Sequence, residues 1–417
     1  MNRHSASGLA LLLAATLGFA SKPAACQRPD TTQAPAQEVP GQLAFGLRLF
    51  QEVARSKADS NAVISPSSAG VALMLAYNGA EGATRTAMGT TLGVGGHSIA
   101  EMNAAFSVWM RDVSRPGAAQ LTVANSLWVR DGVPFRSDFL ERTRTGFGAE
   151  VTALDFGSAS APSTINAWVS RATHGRIDRI VGEPLDPTSV LVLVNAVYFK
   201  GLWQTPFDRS ATRPRAFTAP HGEHLMLPTM ERYTSLDYVA DSAFHVVRMP
   251  YEGGRLSMYV FLPRGATGLD ELRARLSEQS WRGWLASMSP RDVHVVLPKF
   301  RLEGSTSLVP PLRRMGMGVA FDSARADFSG MIPREWLTRH EYQARISGVT
   351  QKTFVEVDEK GTEAAAVTAI VMVTIATGSE VRRPPTEFIV DRPFVFVIRD
   401  DRTGALLFIG QVTDPRG

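Results

Sequence analysis

The segment from Glu359 to Gly378, EKGTEAAAVTAIVMVTIATG, limits what this chain can fold into more than any other. It begins with charge and a glycine, passes through alanines and ends in β-branched residues, with no charged side chain from Ala364 to Ala376. It is too short to span a bilayer, which takes about 20 apolar residues. Thr and Val suit an exposed helix poorly, and the alternation of a half-buried strand is missing. The preceding 355-VEVDE-359 does alternate as a strand. If Gly361 turns the chain out of that strand's sheet, residues 362 to about 387 form a long loop, and such loops are functional or disordered. A composition rich in Val, Ile and Met without charge argues against disorder. Two readings stay open: an ordinary apolar strand ending at the Pro384-Pro385 bend, or a strand-competent loop that can later pair inside its own protein's sheet. For the second, Thr362, Ala364, Ala366, Thr368, Ile370 and Met372 share one alternating face. The first four are small enough to enter a closed sheet without overfilling the core. Glu363 falls on the other face.

With 44% hydrophobic and 20% charged residues, the 417-residue chain has the composition of a globular protein with a large core. The net charge of +4 is small, and no basic run interleaves with aromatics, which argues against nucleic-acid binding. A single cysteine excludes a disulfide within the chain, so stability must come from the core. Arg3 followed by 9-LALLLAATLGFA-20 has the pattern of a signal peptide, with a small-x-small cleavage site at Gly18-Phe19-Ala20. A second option is 23-PAAC-26, where Cys26 after two alanines resembles a bacterial lipoprotein acceptor, although Pro23 departs from that pattern. Residues 1–25 are therefore expected to be a signal peptide, 26–40 a flexible tether and 41–417 the folded domain.

In the folded part, 41–56 has helical apolar spacing, and 61–80 gives a short strand, a Ser-Pro break and a buried helix capped by Ser65 with Pro66 in its first turn. Residues 189–201 form a nearly uncharged β-branched run, expected to be a strand buried on both faces. Strands are also expected at 121–130, 292–304 and 352–360, paired strands around Gly253-Gly254, helices at 163–177 and 269–288, and a C-terminal hairpin turning at Asp400–Gly404. Helices early and strands late predict an α+β fold. Catalytic signatures are missing: no nucleophile elbow, no zinc-protease helix, no phosphate loop and no dinucleotide glycine pattern. His221, Glu223 and His224 have no third metal ligand signalled nearby, and Ser65 and Ser68 have no His-Asp pair placed beside them. No enzyme activity, metal or cofactor is expected.

The segment 357-VDEKGTEAAA-366 closely resembles the hinge of the serpins, the serine protease inhibitors. Other stretches resemble the family in the same order: 64-ISPSSAG-70, 194-VNAVYFKGLWQTPF-207, 297-LPKF-300, 328-FSGM-331, 393-PFVFVIRD-400 and 408-FIGQV-412. The resemblance runs from about residue 41 to 415. With the leader and Cys26, it implies an exported bacterial member, extracellular or periplasmic, or anchored through Cys26. It implies about nine helices and three β-sheets, an exposed reactive-centre loop, and inhibition by trapping. A target serine protease cuts the loop, which inserts into the main sheet and carries the acylated protease with it.

Residue by residue, the resemblance puts Glu359 at the base of the hinge, Gly361 at its pivot, and Thr362, Glu363, Ala364, Ala365 and Ala366 in the part that enters first. Ser65, Ser68 and Asn195 fall in the polar cluster beneath the opening sheet, with Gln351 where the family commonly has His. Lys200 and Trp203 fall at the top of the sheet. Family spacing puts the reactive bond between Ile375 and Ala376, which suits elastase-like or subtilisin-like proteases; cleavage after Arg382 or Arg383 would suit trypsin-like ones. A monomer is expected. The alternative is a non-inhibitory binding or structural protein of the same fold, whose loop is only a substrate.

Overall fold

The computed structural model describes residues 38–113, 115, 119–182, 184–185, 190–265, 268–342, 344–362 and 384–417. Fifteen strands lie among them: β1 (Ala62–Ile64), β2 (Ala119–Arg130), β3 (Glu150–Leu154), β4 (Leu191–Leu202), β5 (Arg213–Thr218), β6 (His224–Ala240), β7 (Phe244–Pro250), β8 (Leu256–Pro263), β9 (Ser289–Pro298), β10 (Phe300–Ser307), β11 (Thr350–Val357), β12 (Gly361–Thr362), β13 (Thr386–Ile389), β14 (Phe394–Asp400) and β15 (Leu406–Val412). They form a six-stranded sheet in the order β10-β11-β12-β4-β2-β3. A nine-stranded assembly follows the path β1-β15-β14-β8-β7-β6-β9-β13, with β5 on β6. The α+β class holds. The three expected sheets appear as two hydrogen-bonded units because β6 pairs with β5 and β9 along one part and with β7 at its end. Among the described residues there are ten α-helices, and none is long and apolar enough to cross a membrane.

Strand β4 is the spine of the six-stranded sheet. Val197 and Phe199 belong to the main core, whereas Val194 and Ala196 join a second cluster around Trp128, Ile165 and Trp168. The uncharged run is thus covered on both faces, as its composition requires. Helix α1 (Gln42–Arg55) buries Leu43, Phe45, Leu47, Leu49, Phe50 and Val53, and α2 (Pro66–Tyr77) is buried along its whole length. Small residues let these helices approach closely: a Cβ on Gly46 would meet Pro66 Cβ at 2.8 Å. Ser65 occupies the N-cap of α2, but its side chain makes no capping bond, which corrects the expected cap. The expected helix over 269–288 is two helices, Gly268–Arg275 and Glu278–Ala286, because Ser277 caps the second by accepting from the Ser280 N–H. The strand expected over 292–304 breaks at Lys299 into β9 and β10, which lie in different sheets.

Candidate functional site: the head of the six-stranded sheet

At the end of β11 the chain folds back within three residues. Asp358 builds this turn: its carboxylate accepts from the N–H groups of Lys360 (2.8 Å) and Gly361 (3.1 Å), and its own N–H donates to the Gly361 carbonyl (2.9 Å). Gly361 and Thr362 then enter the sheet as β12. Thr362 stands opposite Val357 on one side and Gly201 on the other, and Gly361 opposite Leu202. The expectation that Gly361 turns the chain out of the sheet is therefore corrected: the Asp358 turn returns the chain to the sheet before Gly361. Glycine is required here by close approach, since a Cβ would lie 2.0 Å from the Gly201 carbonyl oxygen.

Aromatic rings line the place where Thr362 enters. Tyr251 is fully buried, stacked on Trp203 (4.6 Å, 9°) and edge-on to Phe199 (5.0 Å). Its phenol oxygen lies 2.6 Å from Thr362 Oγ1. Burial pushes the phenol well above its ordinary pKa, with the Thr362 bond acting against that shift, so it stays a neutral hydrogen-bonding group. Trp203 ties the turn down through its backbone N–H to the Lys360 carbonyl (2.8 Å) and its indole N–H to the Asp358 carbonyl (3.0 Å).

The Glu359 side chain points under the turn, where Lys299 Nζ donates to it at 3.0 and 3.3 Å and Thr212 at 2.9 Å. Burial alone would raise its pKa. Hydrogen bonds from Lys299, its own backbone and Thr212, together with the Lys299 charge, outweigh burial and hold it below the ordinary value. Lys200 sits partly buried in β4 opposite Gln120. Sequence reasoning missed Tyr251, Lys299, Thr212 and Asp358. Tyr251 is 111 residues from Thr362, and nothing in its local sequence signals that contact.

Lower in the same sheet, Gln351 of β11 grips the backbone of Ser65: its Oε1 accepts from the Ser65 N–H (2.8 Å) and its Nε2 donates to the Ser65 carbonyl (2.9 Å). Asn195 of β4 donates to Asn125 of β2 at 2.6 Å. Ser68 is buried in α2 with no partner for its hydroxyl among the described residues. The structure thus brings Ser65 and Gln351 into contact and places Asn195 across a small cavity from Gln351. Beyond the sheet, His221 lies 3.7 Å from Asp59, and Glu223 faces Arg416. Among the described residues no group of three acidic, His or Cys side chains could hold a metal. The leader, Cys26, Glu363, Ala364, Ala365, Ala366, Ile375, Ala376, Arg382 and Arg383 lie outside the described residues.

A family model described as Serpin (serine protease inhibitor) matches residues 40–415. The chain is a member of the serpin family. Among curated relatives, Iripin-2 of Ixodes ricinus is 34% identical over 88% of this chain and 91% of its own. Leukocyte elastase inhibitor A of Rattus norvegicus is 34% identical over 89% and 97%. Among solved structures, the native state of the thermophilic serpin tengpin superposes with a TM-score of 0.81 at 29% identity, over 90% of this serpin and 94% of tengpin. The family is one of inhibitors rather than enzymes, and its partners are proteases.

Proposed function

We propose that this serpin is an exported inhibitor of serine proteases that traps its target by loop cleavage and insertion. One observation carries the reading: β12 is a two-residue strand already paired antiparallel between β11 and β4. Below it β11 and β4 pair directly only at Lys352–Ala196 and Thr353–Val197. The two residues that lead into the segment beginning at Glu363 are thus already held between the two strands. In the proposed reaction the protease's serine attacks the carbonyl at the scissile bond, the peptide C–N bond breaks, and the amine leaves with the C-terminal fragment. The acylated arm then inserts, and the protease is displaced before water can release it.

Ile375-Ala376 is the proposed bond, and an elastase-like or subtilisin-like enzyme the proposed target; the name of the rat relative supports that choice. The leader supports export, to the extracellular space or periplasm. A bacterial origin and a lipid on Cys26 rest on the leader's pattern alone, and the two relatives compared come from a tick and a rat. The test is to mix the purified protein with elastase, subtilisin and trypsin and resolve the products on a denaturing gel. A band at the summed mass, with loss of protease activity, is expected from elastase or subtilisin. Clean loop cleavage with full protease activity in every case would instead support the non-inhibitory reading.

A further inference from the structure

Another cavity, of about 440 Å³, shares no residue with the head of the six-stranded sheet. Five stretches of chain wall it: residues 58–59 after α1, the turn 218–222 between β5 and β6, the helix Gly268–Arg275, the connection 391–393 between β13 and β14, and Thr413 after β15. A volume of this size lies in the range that small-molecule sites occupy. Much of the wall is apolar, formed by Ala219, Pro220, Leu269 and Pro393.

Its charged groups are layered. Arg273 joins the wall from the helix with a side chain only 9% exposed. Gln411, fully buried in β15, fixes it in place: Gln411 Oε1 accepts from Arg273 Nη1 at 2.8 Å, while Gln411 Nε2 donates to the carbonyls of Lys57 (2.6 Å) and Ser60 (2.8 Å). Arg392 is the other inner cation, with a side chain 25% exposed and an Nε–H that donates to the Pro263 carbonyl at 2.7 Å. The carboxylates lie further out: the side chain of Asp391, beside Arg392, is 49% exposed, that of Asp59 63% and that of Asp270 79%. Asp270 reaches back to Arg273, but so exposed a carboxylate offsets little of the burial. Burial accordingly lowers the Arg273 pKa, with the Asp59 charge acting against that shift. At the mouth, His221 faces Asp59 at 3.7 Å from a backbone with a φ of 65°, a left-handed conformation unusual for a residue with a Cβ.

We propose that this cavity binds a free α-amino acid with an apolar side chain. The ligand's carboxylate enters first and accepts from the inner guanidinium groups. Its ammonium stays at the rim with Asp59 and Asp270, and its side chain packs on Leu269, Ala219 and the two prolines. The layering selects this class. A simple anion gains the floor but is repelled at the rim, and a simple cation meets the reverse. An uncharged apolar molecule would cover the guanidinium groups without offering them an acceptor. A carboxylate can take two parallel bonds from a planar guanidinium, which fixes its direction. The proposal is independent of the inhibitory reading, since no residue of β4, β11 or β12 lines the cavity.

The test uses the purified full chain and a set of probes that differ in their charged groups: L-phenylalanine, 3-phenylpropanoate without the ammonium, and 2-phenylethylamine without the carboxylate. Calorimetric titration at neutral pH gives each affinity. Thermal melting gives a second readout, because a ligand of the folded state raises the melting temperature. L-Phenylalanine is expected to bind saturably at about millimolar concentrations, as a ligand of so few atoms allows. 2-Phenylethylamine should bind at least about tenfold more weakly, since it loses a charge-assisted bond to a buried cation. 3-Phenylpropanoate should bind about threefold more weakly, since the rim carboxylates are more exposed. Arg273→Met should weaken L-phenylalanine at least about tenfold. Arg273 also steadies the 57–60 connection through Gln411, so Arg392→Gln serves if that variant fails to fold. Asp59→Asn should narrow the gap between L-phenylalanine and 3-phenylpropanoate. Equal or tighter binding of 3-phenylpropanoate would overturn the zwitterion in favour of a plain anion site, and of 2-phenylethylamine in favour of a cation site. No saturable binding of any probe, or L-phenylalanine binding unchanged in Arg273→Met and Arg392→Gln, would overturn the site itself.

Discussion

Glu359 shows how a single buried side chain is held beside the turn after β11. Its carboxylate is 5% exposed and would be costly to bury alone, yet Lys299 and Thr212 both donate to it. Charge-assisted bonds of this kind contribute about 1.5–3 kcal/mol each, and removing one partner leaves the other uncompensated. Because the folded-state pKa is lowered, the ionised form contributes stability above the ordinary carboxyl value of 4.5, and that stability is lost as the pH falls below it. Glu359→Gln is therefore expected to melt below the parent at neutral pH. The difference should shrink as the pH drops through and below 4.5. Thermal melting across a pH series checks this; a constant difference at every pH would show that the charge is irrelevant.

At the scale of elements, β12 carries the proposed function, and it is only partly legible in the sequence. The sequence marks Glu359, Gly361 and the small residues after them, and the uncharged run at 189–201 announces a strand buried on both faces. It does not reveal that the turn built by Asp358 is tied into the sheet, because the partners that tie it and Thr362 down, Trp203 and Tyr251, are far away in sequence. Nor does it reveal why Gly361 must be glycine, since the obstacle is the Gly201 carbonyl of β4. The split at Ser277 was missed because a helical pattern continues across the cap. Gly361→Ala follows from these contacts. The added methyl cannot fit against β4, so β12 should leave the sheet and Trp203 should lose its bond to the Lys360 carbonyl. A red shift in tryptophan emission and faster amide exchange at Trp203 are expected. Unchanged exchange there would mean the sheet opens to accept the methyl.

For the whole molecule, the question is whether the uncut chain stores free energy that cutting releases. In the described sheet β11 and β4 pair directly over two residue pairs below β12. In the proposed mechanism one inserted strand would separate them and add a ladder on both sides. In the proposed mechanism insertion would extend from Thr362, which is already paired between β11 and β4. Thr362 is 1% exposed and sits against Tyr251. Thr362→Arg would force a guanidinium into that place with no carboxylate to meet it, a cost of several kcal/mol. The variant is expected to be cut at the same bond as the parent but to release the protease, raising the number of inhibitor molecules consumed per protease by more than about tenfold, as a several-kcal/mol penalty on one branch requires. Its cut form should also lack the parent's gain in melting temperature. The two readouts belong together: if Thr362→Arg still forms the stable adduct, the trap does not depend on insertion beginning at β12, and the order of events would have to start elsewhere in the sheet.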